Sequence, residues 1–115
     1  MRGLFNQILE SDHVRGCLFL LPDGQVGFMQ FNGTPYPLPS PDRLKQLMSV
    51  LNGMQEVDLL FEEARIYLRK ADHGYVVIFL ESFAAIAMIR LQCEVLIPSL
   101  NSEKPKGLMR LFKRS

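Results

Sequence analysis

A chain of 115 residues and 13.2 kDa has room for one compact domain with short ends, and not for two independent cores. Apolar residues make up 48% and charged residues 22%, which supplies a core and excludes the charged, apolar-poor composition of disordered proteins. The net charge of +1 conceals a split: residues 1–103 hold 8 Lys+Arg against 12 Asp+Glu, a net −4, whereas Lys104, Lys106, Arg110, Lys113 and Arg114 give the last twelve residues +5. A nucleic-acid-binding protein carries its positive charge on the folded body, so nucleic acid is not an expected partner.

In GLFNQILE, residues 3–10, Leu4, Phe5, Ile8 and Leu9 recur at helical spacing and predict a short first helix. Glu10 and Asp12 interrupt what a secretory signal would need as an apolar run, so a cytoplasmic protein is expected. From Val14, VRGCLFLL is apolar on both faces, Pro22-Asp23-Gly24 is turn chemistry, and QVGFMQF continues in strand-forming residues. A hairpin near 14–21 and 25–31 follows. Pro35, Pro37, Pro39 and Pro41 then occupy alternate positions, which predicts a stiff extended connector without the PxxP spacing of groove-binding ligands. Ser40 suits an N-cap and Pro41 a first helical turn. Leu44, Leu47, Met48 and Leu51 form a stripe that predicts a second helix from Pro41 to Leu51, stopped by Asn52-Gly53. Val50 and Met54 stand on the shoulder of that stripe and widen it beyond what packing on one sheet requires.

In VDLLFEEARIYLRK, a turn at Glu63-Ala64 sets Glu62 opposite Arg65, Leu60 opposite Tyr67 and Asp58 opposite Arg69 on one face, with Phe61, Ile66, Leu59 and Leu68 on an apolar second face. That is a half-buried hairpin. Glu-Ala is a poor two-residue turn, so a longer loop with slipped register is the alternative. Ala71-Asp72-His73-Gly74 makes a further turn, and YVVIFLE reads as a central strand covered on both faces. Ser82 is the expected cap of a third helix through AAIAMIRLQCEVLI, which Pro98 should end or kink. The apolar run from Tyr75 to Ile89, broken by Glu81 and Ser82, falls short of the roughly 20 residues that span a bilayer. The order helix, two strands, helix, three strands, helix predicts an α+β domain over residues 1–100, a five-stranded antiparallel sheet with helices packed on both faces, followed by a basic tail over 101–115.

The stretch HVRGCLFLLPDGQVGF, the central helix, and the block ARIYLRKADHGYVVIFLES running into a last helix resemble the roadblock family, which is named for dynein light chains. The family includes bacterial gliding-motility GTPase regulators and the scaffold subunits of lysosomal Rag GTPases. The resemblance covers residues 3–100 and implies the profilin-like roadblock architecture. The four-proline connector departs from it, as does AAIAMIRLQ, in which Ile86, Ala87, Met88, Ile89 and Arg90 stand where relatives carry an Asn-Leu-Gly-Leu-hydrophobic-Arg helix. The resemblance implies a non-enzymatic dimeric platform, pairing with itself or a related chain and binding a small Ras-like GTPase. It places the dimer contact at Leu47, Val50, Leu51, Met54, Val57, Leu59 and Phe61. A structural or sensory interaction module of the same fold, without a GTPase partner, is the alternative function.

Chemistry is sparse. Cys17 and Cys93 lie in apolar segments and read as reduced, buried thiols, neither a disulfide framework nor a four-ligand zinc site. His13 and His73 sit singly in turns, and no nucleophile elbow, P-loop, GxGxxG, HExxH or CxxC is present, so no cofactor, metal or catalytic residue is expected. In GLMRLFKRS, Leu108, Leu111 and Phe112 fall opposite Arg110, Lys113 and Arg114. Those three cations are candidate contacts to an acidic partner surface, the other reading being a solubilising end.

Overall fold

The computed structural model describes residues 2–33, 41–60, 62 and 64–102. Its elements are α1 (Arg2–Leu9), β1 (Val14–Leu20), β2 (Val26–Phe31), α2 (Pro41–Leu51), β3 (Glu56–Leu60), β4 (Arg65–Ala71), β5 (Gly74–Leu80) and α3 (Ile86–Asn101). The strands form one antiparallel sheet in the order β2-β1-β5-β4-β3. Every residue of β5 is buried, as its continuous apolar run requires of a strand covered on both faces.

Strand alternation sorts the core into two layers. Cys17, Phe19, Tyr67, Val76, Ile78 and Leu80 face α1 and α3, where they meet Phe5, Ile8, Leu9, Ile89, Cys93, Leu96 and Leu100. Leu18, Leu20, Leu68, Tyr75, Val77 and Phe79 face the other way and pack against Met48 and Leu51 of α2. The two thiols are buried, and desolvation pushes both above the ordinary range, Cys93 to about 12. Among the described residues no helix is long and apolar enough to cross a membrane.

Local chemistry fixes the turns. In the β1–β2 hairpin Asp23 Oδ1 accepts from the Gln25 amide at 3.0 Å while Gly24 takes φ 90°. Gly53, at φ 88°, ends α2, and the Tyr75 hydroxyl donates toward the carbonyls of Leu51 at 2.7 Å and Met54 at 3.0 Å.

The structure corrects three expectations. The β3–β4 hairpin is closed by residues 61–64 rather than by two, which slips the register by two positions: Glu56 faces Arg69, Asp58 faces Tyr67 and Leu60 faces Arg65. A slip of two preserves which residues share a face, so the charged and apolar faces survive although the partners change. The hairpin is buried on one strand only, Tyr67 and Leu68 being inside while four of the five β3 residues are exposed. Ser82 does not cap α3. The Ala84 amide bonds the Glu81 carbonyl at 3.0 Å in a turn that tucks Ala84 into the core, and the helix begins behind Ala85 without a side-chain cap. Of the two outcomes expected at Pro98, an end or a kink, the end does not occur, since α3 runs on to Asn101; Glu94 and Pro98 are both exposed, so the carbonyl that loses its amide partner there can face water. The three prolines at 35, 37 and 39 and the proposed cap Ser40 lie outside the described residues.

Candidate interaction surface

At one end of the sheet β3 pairs, among the described residues, only with β4, so a row of its backbone N–H and C=O groups points away from the ladder. On the face shared with α2, Val57 is half-buried and Leu59 is 37% exposed, opposite Leu68 and Ile66. On the α2 side of the sheet, Val50 of α2 is 70% exposed and Met54, just beyond the helix, 47%. Of the residues the sequence nominated for a dimer contact, Val50, Met54, Val57 and Leu59 therefore present apolar surface. Leu51 does not: at 4% exposed it is committed to the protomer's own core with Met48. The side chain of Leu47 and the whole of Phe61 lie outside the described residues, as do Arg110, Lys113 and Arg114.

The opposite face of β3 carries Glu56, Asp58 and an exposed Leu60, and its two acids are tied down. Asp58 receives a bidentate contact from Arg65, Nε at 2.9 Å and Nη2 at 2.6 Å, and Arg65 Nη1 also reaches the Ala84 carbonyl at 2.9 Å. Glu56 accepts from the Tyr67 hydroxyl and from Arg90 Nε at 2.7 Å, with Arg69 3.8 Å away. The hydrogen bond from Tyr67, then that from Arg90, hold the Glu56 carboxyl below its usual range, and the Arg65 hydrogen bond does the same for Asp58. Burial, with the bond to Glu56, raises the Tyr67 phenol and keeps it a donor. Arg65, Arg69 and Arg90 thus neutralise the acids of the edge strand from β4 and α3. Sequence reasoning put Arg65 opposite Glu62 and Arg69 opposite Asp58, whereas Arg65 holds Asp58 and Arg69 lies opposite Glu56, and it missed Arg90, whose long reach from α3 has no short-range signal.

His13 is more than a lone turn histidine. Its Nδ1 lies 3.0 Å from Glu81 Oε2, its ring meets Phe83 edge-on at 4.6 Å, and its φ of 69° is left-handed. This is a clasp between the start of β1 and the end of β5. Among the described residues no group of three His, Cys, Asp or Glu is gathered as for a metal ion.

No protein-family model and no curated protein matches the chain. Solved structures do. The gliding protein MglB from Thermus thermophilus superposes with a TM-score of 0.70 at 15% identity, over 87% of this chain and 84% of that one. A Roadblock/LC7 domain from Streptomyces avermitilis gives 0.65 at 12%, over 89% and 95%. MglC from Myxococcus xanthus gives 0.60 at 19%, over 88% and 99%.

Proposed function

We propose that this chain, which has the roadblock/LC7 fold, works as a non-enzymatic dimeric regulator or scaffold that receives a small Ras-like GTPase. The observation that carries the reading is the coincidence of a strand edge left unpaired among the described residues with exposed Val50, Met54 and Leu59 on one layer. An open edge invites a second β-strand, and the apolar side chains beside it give that pairing a hydrophobic gain that backbone bonds alone lack. The acids of β3 are already matched by arginines of the same chain, so two such edges can approach without facing bare carboxylates. The dimer seam comprises Val50, Met54, Val57 and Leu59, extended by Leu47 and Phe61, with Leu51 supporting it from inside. A two-fold platform acts by contact. It offers its GTPase a broad surface, and the cationic residues Arg110, Lys113 and Arg114 steer an acidic partner toward it.

The test has two parts. Sedimentation of the purified chain should give a multiple of 13.2 kDa that Val50→Glu reduces, because each dimer would then bury two carboxylates without partners. Retention of a small Ras-like GTPase from the same genome, loaded with GTP or GDP, should depend on nucleotide and on residue 50. A chain that self-associates but retains neither loaded form is an interaction module without a GTPase partner.

A further inference from the structure

The last helix is apolar around most of its circumference. Ile86, Ile89, Cys93, Leu96 and Leu100 are buried against the sheet, while Met88, Leu91 and Val95 are 59%, 58% and 69% exposed. At about 100° per residue those three fall within roughly 60° of one another, nearly opposite the buried row. The only charges in Ile86–Asn101 are Arg90 and Glu94, and Arg90 is held by Glu56. A helix facing solvent carries polar residues there, whereas one apolar on both sides has a cover on both.

The chemistry of the row selects its cover. A helix lying on a lipid surface needs Lys and Arg along the edges of its apolar row; within α3 the single cation is engaged by Glu56, and the five cations of the tail begin only at Lys104, after the helix has ended. Met88, Leu91 and Val95 repeat at three and then four residues, the spacing of a seam between helices packed lengthwise. The row contains no charge, so its own copy, turned antiparallel, meets it without repulsion; Glu94 falls to one flank, Gln92 and Ser99 to the other. We propose that the outer face of α3 is a self-association surface, which packs antiparallel against α3 of a second copy of this chain.

Three such side chains expose about 300 Å² per copy, and the flanks bring the total removed from water to about 800 Å². That is below the roughly 1,200 Å² of a standard stable complex, so association through α3 is reversible and concentration-dependent. The helix lies on the layer opposite α2, which makes this contact additional to the β3 seam: together the two join more than two chains, and α3 alone generates a dimer.

Sedimentation equilibrium on the full chain, from low to high micromolar, tests this with Leu91→Glu, Val50→Glu and the double variant. Wild type should gain mass with concentration. Leu91→Glu should weaken that step by about a hundredfold and leave any β3 dimer intact. Val50→Glu should leave the α3 step intact, and the double variant should stay at 13.2 kDa. Since Leu91 is exposed, unchanged thermal melting checks folding, and Leu91→Gln repeats the test without a charge. Failure of Val50→Glu to alter mass touches only the β3 seam. A Leu91→Glu concentration dependence equal to wild type overturns the α3 proposal, as does wild type that never gains mass. Co-sedimentation of wild type, but not Leu91→Glu, with phosphatidylserine vesicles would assign the row to a bilayer and overturn it too.

Discussion

Replacing Tyr75 by Phe removes one oxygen and leaves the ring in place, which isolates what the hydroxyl does. The side chain is 4% exposed and lies in the layer of Met48, Leu51 and Val77, so the substitution opens no cavity large enough to matter. The hydroxyl donates toward Leu51 O and Met54 O, the last carbonyl of α2 and the first beyond its glycine stop. Leu51 O keeps the bond from the Met54 amide at 2.9 Å, so the loss is that of one donor shared by two acceptors. A net hydrogen bond is worth about 1 kcal/mol, and leaving a partly buried carbonyl dry adds a similar amount. A cost of about 1–2 kcal/mol lowers the melting temperature of a domain of this size by roughly 4–8 °C. Scanning calorimetry on both proteins reads it directly. Melting within about 1 °C of wild type would mean that the hydroxyl does not anchor the end of α2, and the reasoning that ties Val50 and Met54 to the sheet through Tyr75 would fail with it. Burial raises the Tyr75 phenol, so the difference should persist into mildly alkaline buffer.

Two further outcomes follow from the same structure. A Cβ on Gly16 would overlap the ring of Phe31 across the β1–β2 ladder; Gly16→Ala should cost about 1–3 kcal/mol in urea unfolding, and most of that should vanish in a Phe31→Ala background. Glu56 and Asp58 are held below their ordinary values of 4.5 and 3.8, so their stabilising contribution is complete above those values and drains away as pH falls beneath them. An acid titration of stability should therefore fall less steeply below pH 4 in Arg90→Met, which removes a main cause of the Glu56 depression.

The elements were legible because their signals are local: the two-faced apolar run of β1 with its Asp-Gly turn, the alternation of β4, the stripe and glycine stop of α2, the unbroken apolar run of β5. The hairpin register was not, because Glu62 to Ala64 carry no turn chemistry strong enough to fix a loop length, and a slip of two leaves both faces chemically the same. Ser82 misled because a capping residue marks where a helix can begin and not where it must: the Ala84 amide takes the Glu81 carbonyl in a turn, and the helix starts behind Ala85. Of the proposed seam, the widened α2 stripe pointed to exposed Val50 and Met54, but the same stripe also contained Leu51, which is inside. Periodicity locates a face and cannot divide it between two neighbours. The link from Arg90 to Glu56 crosses from α3 to β3, and nothing in a single sequence marks such a pair.

The position of β5 also orders events in time. Its two neighbours come from opposite ends of the chain: β4 is joined to it by a tight turn, whereas β1 is separated from it by residues 21–73. The β3–β4–β5 meander and the β1–β2 hairpin can each close with little loss of chain entropy, but the seam between them is the long closure of the fold and sets its folding rate. Until that seam forms, YVVIFL is an uncharged strand with one unsatisfied edge, a template for pairing between chains. During synthesis β1 and β2 leave the ribosome first, so the finished hairpin is waiting when the sticky strand emerges, which shortens its exposure to other copies.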